Sequence, residues 1–382
     1  MKKLIALVAL ASVTSFSFAG DSSKLVVHEW GTFTSISGED GVALDYRPLA
    51  GVSDLPSFVY TAWDAKGLRG KAEYGKACVV GNVRMETPVI YFYADHETRV
   101  SASVSFPQGR ITEFYPRVLS GHSSEVNWGT FVVKPDRAGS PIRGTEESHY
   151  YEARKTDADL VRVCSPQDDE YEKFLFYRGV GSFELPVKVQ LLEDGQKLRI
   201  EGLRGDAIVY ENRHGEARYR IVSPSCRSSF VECERPDLPL YTGFWPIMDE
   251  DLEKILVEAG LYKKEAKAMI ATWEKSWSEE GLRVLYVLPR ERTDEVLPLK
   301  IAPEPTELVR VLVGRAEVIT PELEADVVAS VAKLGAEKVE DREAARKALA
   351  ARGRFARPIL EKALAKTRDV EVSARIRELL SK

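Results

Sequence analysis

The sequence predicts an α+β chain with an antiparallel β-sandwich-like N-terminal domain, an α/β middle section and a short α-helical C-terminal tail. Three observations carry that prediction. Up to about residue 236, β-branched and aromatic runs alternate with turn clusters of Gly, Asn and Asp. Beyond it, apolar residues recur at helical spacing, and from residue 341 onward only helix-period segments remain.

The first nineteen residues precede these elements and read as a cleavable secretory signal. Lys2 and Lys3 give a positive start, residues 4–13 form an apolar run, and Ser17 and Ala19 supply the small residues before a cut at Gly20. That run falls short of the roughly 20 apolar residues a membrane helix needs, and no later segment is apolar enough to span. The expected location is the periplasm or the exterior. Losing two lysines moves the formal charge from −5 to −7, a mild acidity that argues against a general nucleic-acid role. The patterning divides the 382 residues into a signal (1–19), a β-rich domain (20–236), an α/β section (237–335) and a basic helical tail (336–382).

In chain order, residues 25–36 are rich in β-branched and aromatic side chains and end at Ser37-Gly38-Glu39-Asp40-Gly41, a turn cluster, after which 42–46 returns. Residues 88–94 are strongly β-prone, with Asp95-His96-Glu97 as a polar tip. Residues 99–106 then alternate, with Val100, Ala102, Val104 and Phe106 on one face and serines on the other. Strands are also expected at 174–177, at 187–192 and 197–201 around Glu193-Asp194-Gly195, and at 207–210 and 217–222 around Asn212-Arg213-His214-Gly215. Trp30-Gly31-Thr32-Phe33 recurs as Trp128-Gly129-Thr130-Phe131, which marks either two equivalent strands of a duplicated half-sheet or a coincidence.

After residue 239 the period changes. Asp249 caps an expected helix through Ala259, ended by Gly260, and 263–277 follows with Ala266, Ile270, Trp273 and Trp277 at helical spacing. Two β-like runs, 282–288 and 308–313, either add to the main sheet or form a small α/β unit. Thr320-Pro321 opens a further helix with a cap and a first-turn proline but no capping box.

The tail reads as three helices, split at Gly353 and at Thr367-Arg368-Asp369. Asp341-Arg342-Glu343-Ala344-Ala345, Arg357-Pro358-Ile359-Leu360 and Asp369-Val370-Glu371-Val372 resemble the helix openings of one and a half HEAT-like repeats. Such a fragment is expected to dock on its own chain or on a partner, since solenoids need several units. From 341 to 382 there are twelve Arg or Lys against six Asp or Glu, a net of +6. That charge suits an unknown protein or an anionic or glycan ligand, or else forms a solvated face.

Cys78, Cys164, Cys226 and Cys233 fit an oxidising compartment and allow three pairings. A local Cys226–Cys233 staple, leaving Cys78 with Cys164, is the simplest. Zinc is the competing reading, although C-x6-C does not match common zinc spacings. No cofactor is expected, with zinc or another divalent metal as the minority alternative.

Five histidines can be weighed singly. His28 and Glu29 are adjacent on a strand, so their side chains point to opposite faces and do not act together unless a bulge intervenes. His96 and His214 fall at turns, and His122 lies in the polar loop 120–124. The richest cluster is His149, Tyr150, Tyr151, Glu152 and Arg154 with Asp157 beyond. It suits an anionic or sugar-like ligand clamped by Arg154, or else a strand covering a sheet face. Metalloprotease, nucleophile-elbow, phosphate-loop and dinucleotide signatures are all missing.

Leu25-Val26-Val27-His28-Glu29-Trp30-Gly31-Thr32-Phe33-Thr34-Ser35 resembles the opening of a group of uncharacterised exported bacterial proteins. Glu86-Thr87-Pro88-Val89-Ile90-Tyr91-Phe92-Tyr93, Ser148-His149-Tyr150-Tyr151 and Phe176-Tyr177-Arg178-Gly179-Val180-Gly181 are similar to later segments of that group, up to about residue 320. The resemblance implies export and a single family origin, and no activity. The expectation is therefore an exported binding or assembly protein. Its rival is an exported hydrolase, metal-assisted, using His28 or His149 with nearby carboxylates.

Overall fold

The computed structural model describes residues 24–38, 40–45, 54–61, 79–136, 138–164, 168–192, 195–213, 215–225, 228–235 and 245–381. The signal segment, Cys78, His214 and Cys226 lie outside these residues.

The first strands are β1 (Leu25–Ser37), β2 (Tyr60–Thr61), β3 (Val83–Ala94), β4 (Thr98–Ser105), β5 (Gly109–Tyr115), β6 (Ser120–His122), β7 (Glu125–Lys134), β8 (Leu160–Val163) and β9 (Glu170–Glu172). They are followed by β10 (Leu175–Gly181), β11 (Lys188–Leu192), β12 (Lys197–Glu201), β13 (Ala207–Arg213), β14 (Glu216–Val222), β15 (Phe230–Glu234), β16 (Gly281–Val287), β17 (Leu299–Ala302) and β18 (Glu307–Val318). The α-helices are α1 (Trp245–Glu258), α2 (Lys263–Trp277), α3 (Arg290–Val296), α4 (Pro321–Lys333), α5 (Val339–Arg352), α6 (Arg357–Lys366) and α7 (Val370–Ser381). A 3-10 helix spans His149–Arg154.

Strand β1 is the middle of the molecule. All of its thirteen residues are buried, because it runs between β18 (parallel) and β3 (antiparallel) in a nine-stranded sheet ordered β14-β13-β16-β18-β1-β3-β10-β5-β2. One face packs on a six-stranded sheet built from β17, β4, β7, β8 and β9 with β6 on β7, and on the three-stranded sheet β11-β12-β15. Leu25, Val27 and Phe33 enter that sandwich core with Phe92, Phe131 and Leu312. The opposite face carries Trp30, Tyr91, Phe176 and Val313, covered by side chains of α1, α2 and the 3-10 helix. A buried side chain of this size contributes about 1.5–3 kcal/mol, so both faces of β1 hold layers together. The fold is α+β, as the sequence predicts.

The runs at 282–288 and 308–313 add to the main sheet as β16 and β18. A division near 236 therefore does not separate two bodies: the chain leaves the sheet for α1 and α2, then returns beside its own first strand. Other expectations shift. Residues 42–45 contribute only an isolated bridge, Ala43 to Ser37. The polar loop expected at 120–124 contains strand β6, paired to β7. The expected capped start at Asp249 falls inside α1, which begins at Trp245. Helix α2 has the predicted bounds, and Thr320 Oγ1 accepts from the Leu323 N–H at 3.2 Å to cap α4.

The two Trp-Gly-Thr-Phe segments are not equivalent. Both sit at register breaks, but Trp30 faces the helices from the nine-stranded sheet, whereas Trp128 faces the sandwich core from the six-stranded one. Opposite Gly31, β3 carries one extra residue, so Thr87 and Pro88 together face it, and Thr87 takes a left-handed φ of 40°.

Helix α4 joins α5, α6 and α7 in a separate core built on Val327, Leu334, Leu349, Ile359 and Ile376. Arg235 to Glu322 (3.1 Å) and Arg352 to Glu280 (2.8 Å) tie this unit to the body across a cleft of about 860 Å³. Much of the tail's positive charge has a local use. Arg342 donates to the Ala336 and Glu337 carbonyls, Arg357 to the Leu380 carbonyl and Arg375 to the Leu334 carbonyl, while Arg346 pairs with Glu343. Cations beside helix-end carbonyls offset the helix dipole. Cys164 (exposed) and Cys233 (buried) are not bonded to each other, so no disulfide forms among the described residues; the expected partners Cys78 and Cys226 lie outside them. No described helix is long and apolar enough to cross a membrane.

Candidate functional site

Helix α2 lies on the sheet clamped at both ends. At its start, Glu265 is fully buried and accepts from the Tyr262 backbone N–H (2.8 Å) and from the Tyr93 hydroxyl (2.6 Å), while Nδ1 of His28 lies 2.7 Å away. The contact assigns the proton to Nδ1, because a carboxylate only accepts. At its end, Arg315 donates to the Ser276 carbonyl at 2.8 Å, and Arg283 donates to the Trp277, Glu279 and Glu280 carbonyls. Both arginines also pair with Glu317 between them, and all three are fully buried. Thus β1 and β3 fix one end of α2, and β16 and β18 the other.

The split between His28 and Glu29 follows the strand period. His28 faces the helices. Glu29 faces the sandwich, where it accepts from Tyr177 (2.6 Å) and from Arg310 (2.5 Å). His28 is thereby a buried pin for α2, with Nε2 left without a partner.

Between the clamped ends, the helix-facing side of the sheet carries a second charged group. Thr34 on β1 donates to Glu86 on β3 at 2.6 Å, and Arg84 pairs with Glu86 at 3.1 Å. Arg178 on β10 lies between Glu113 on β5 (2.9 Å) and Asp54 (2.7 Å) in the loop before β2. Asp54 also faces Arg84 at 3.6 Å and Nε2 of His149 at 3.9 Å. The His149 ring lies against Trp273 of α2, tilted by 37° with centroids 5.1 Å apart. The floor is closed, since Glu86, Glu113 and Arg178 are buried; the rim is open, with the side chains of Asp54 and His149 37% and 23% exposed.

Electrostatics fix the charge states. Burial works against the Asp54 carboxylate, yet the guanidiniums of Arg178 and Arg84 hold it well below the usual carboxylate range. Burial pushes the His149 imidazole down from 6.5, with Asp54 opposing. Near neutral pH the rim therefore presents a carboxylate and a neutral imidazole. Three buried polar atoms, Trp273 Nε1, Thr32 Oγ1 and Thr87 Oγ1, have no hydrogen-bond partner among the described residues.

Of the cluster 149–157 only His149 reaches the rim. Arg154, expected as a ligand clamp, is spent on the fully buried Glu172 through contacts of 2.6–3.2 Å, and its guanidinium lies over the Phe58, Tyr150 and Tyr151 rings. Tyr150 donates to the same carboxylate at 3.0 Å, Tyr151 accepts from the Gly144 N–H at 2.9 Å, and Asp157 pairs with Lys264 at 2.7 Å. The segment is a 3-10 helix capped by Ser148, not a strand. His28 and His149 each face their own carboxylate, and no group of three His, Cys, Asp or Glu side chains suited to a metal converges among the described residues.

Sequence reasoning missed Asp54, Arg84, Glu86, Glu113, Arg178 and Trp273 as a site. The usable signal was Arg178 inside the apolar run 174–180, because a charge in a buried strand must have a partner. The fold and this group define an α+β protein with a half-open polar site between sheet and helix. No protein-family model matches the chain, and a search of curated proteins finds no match.

Proposed function

We propose that this chain is an exported binding protein that takes a small ligand at the rim formed by Asp54, His149 and Trp273. One observation carries the reading: Asp54 and His149, whose side chains are 37% and 23% exposed, stand 3.9 Å apart at the edge of an otherwise buried network of paired charges. The four segments that resemble the exported bacterial group supply Thr34, Glu86, His149 and Arg178, which are joined through Asp54 and Arg84. Export rests on the signal-like start. Among the tail cations, Lys347, Lys362, Lys366, Arg368 and Arg377 are exposed, which leaves a surface for an anionic partner.

The hydrolase reading has one support, a neutral imidazole beside a carboxylate at His149. It is weaker because each carboxylate of the floor is held by an arginine. A fragment screen read by the indole N–H resonances tests the binding reading. Polar fragments should shift the Trp273 signal and leave that of Trp128, in the sandwich core, unmoved. Fragments that shift only resonances away from Trp273 would refute it.

A further inference from the structure

We propose that helices α4–α7 form a hinged lobe that opens and closes over the cleft beside the body. It turns at the link between Val318 and Ile319 and is held shut by the charge pairs Arg235–Glu322 and Arg352–Glu280. The proposal is independent of the Asp54–His149 rim.

The boundary between the two bodies falls within one peptide bond. Val318 ends β18 buried in the sandwich core, whereas Ile319 packs on the core of the helical unit. The buried residues of that helical core all lie between Val327 and Leu380, and none belongs to either core of the body. Units with separate cores move relative to each other unless a large apolar interface joins them. Here a cleft of about 860 Å³ lies between them instead, lined on the α5 side by Ala348 and Ala351, whose side chains are too short to fill it. The ring contacts across the boundary are small. Pro321 stands over Gly195 and Phe355 over Gly281, two positions that offer no side chain to grip.

Each charge pair is built so that it can part. Arg235 is fixed to the body by Glu211 (2.8 Å) and by the Gly195 carbonyl (3.0 Å), and it reaches Glu322 of α4 at 3.1 Å. Arg352 has Asp326 of its own lobe at 3.5 Å and reaches Glu280, in the turn before β16, at 2.8 Å. On opening, each arginine keeps a partner on its own side. The carboxylates that are released, Glu322 and Glu280, have side chains 51% and 45% exposed and pass to water. No charge is stranded in the interior, so opening escapes the penalty that makes breaking a buried pair costly. Exposed pairs of this kind are individually weak and are screened by salt, which makes the closed lobe sensitive to ionic strength. Opening uncovers the Phe355 ring, 7% exposed in the closed lobe.

Hydroxyl-radical footprinting of the full mature chain, read residue by residue by mass spectrometry, tests the hinge. Labelling of Phe355 should rise in Glu322→Gln and in Glu280→Gln, by up to about fivefold for the loss of one exposed pair. Phe131 in the sandwich core and Leu349 in the helical core should stay protected, which separates opening from unfolding. Salt should raise Phe355 labelling in the wild type and have little effect in the double variant, whose latches are already neutral. Unchanged Phe355 labelling in both single variants would show a fixed lobe and overturn the proposal. A rise in only one of them overturns it too, because a hinge opens whichever latch fails, whereas Glu280 adjoins Gly281 and disturbs Phe355 locally. Labelling of Leu349 together with Phe355 would mean that the lobe unfolds and does not turn. A wild type indifferent to salt would rule out a charge latch.

Discussion

Gly31 and Pro88 meet across the central strand pair so closely that a Cβ at position 31 would stand 2.9 Å from the Pro88 Cα and 3.1 Å from its backbone nitrogen. The obstacle is main chain and cannot rotate away. The contact sits at the β3 bulge, flanked by Thr32 and by Glu86 and Thr87, so it sets where part of the candidate site stands. Gly31→Ala is expected to cost about 1–3 kcal/mol through overpacking, read as a lower urea midpoint with unchanged slope. Gly205→Ala, where nothing lies within 4 Å of the added carbon, should leave the midpoint unchanged or slightly raised. Equal effects from the two would remove the steric argument.

Glu29 and Arg310 give the second prediction. Both are buried, 2.5 Å apart, on the parallel pair β1 and β18, and Tyr177 donates to the same carboxylate. Arg310→Met strands a carboxylate in the sandwich core, and an orphaned buried charge costs about 3–5 kcal/mol. Glu29→Leu strands the guanidinium, with Asp294 at 2.7 Å as partial relief. The double variant should recover much of either loss. A double-mutant cycle from denaturant unfolding reads the coupling; additive single effects would mean that the pair contributes nothing.

Much of the fold was legible because its signals are local. The alternation at 99–106, the helix over 263–277 and the Thr320-Pro321 start each depend on residues within a few positions. The joining of β1 to β18 was not legible, because parallel pairing across some 280 positions leaves no mark on either segment beyond an apolar run. The site failed in the same way. His149 was singled out by composition, but Asp54, Arg178 and Trp273 come from three other parts of the chain, and only the sheet brings them together. Arg154 misled for a related reason: the Glu172 that neutralises it lies 18 residues on, past two strand starts.

Arg154 can be tested as a structural residue. Its guanidinium neutralises Glu172, a fully buried carboxylate that burial pushes up and the arginine pulls back. Arg154→Ala should therefore lower the unfolding free energy by about 3–5 kcal/mol, whereas a ligand clamp would lose affinity with little change in melting. Arg154→Met with Glu172→Gln should melt closer to the wild type than Arg154→Ala. A melting temperature unchanged in Arg154→Ala would contradict the assignment.

Asp249 links the α1–α2 pair to pH. Burial, with Glu274 nearby, pushes its carboxyl from 3.8 up to about 7. The folded chain then keeps a proton that the unfolded chain releases near pH 4, so stability falls as pH rises from about 4 to about 7 and levels off above. The group is partly exposed, so screening should hold the effect to about 1 kcal/mol. Asp249→Asn removes the dependence. Relative to the wild type it should gain stability between pH 5 and pH 8 in parallel thermal melts; a constant difference across that range would show that Asp249 does not titrate there.

His149 and Asp54 supply the last prediction, read at the site itself. Burial holds the imidazole below 6.5 and Asp54 pulls it back up, so the ring should titrate below 6.5 by NMR. In Asp54→Asn the attraction is lost and the midpoint should fall further. For stability the sign is opposite to that of Asp249. As pH falls through 6.5 the unfolded chain takes up the proton first, so this residue withdraws stability until the folded ring also protonates. A midpoint at or above 6.5 would mean that the carboxylate outweighs burial. A midpoint above 7 would make the rim's ring an imidazolium at neutral pH, a partner for an anionic ligand.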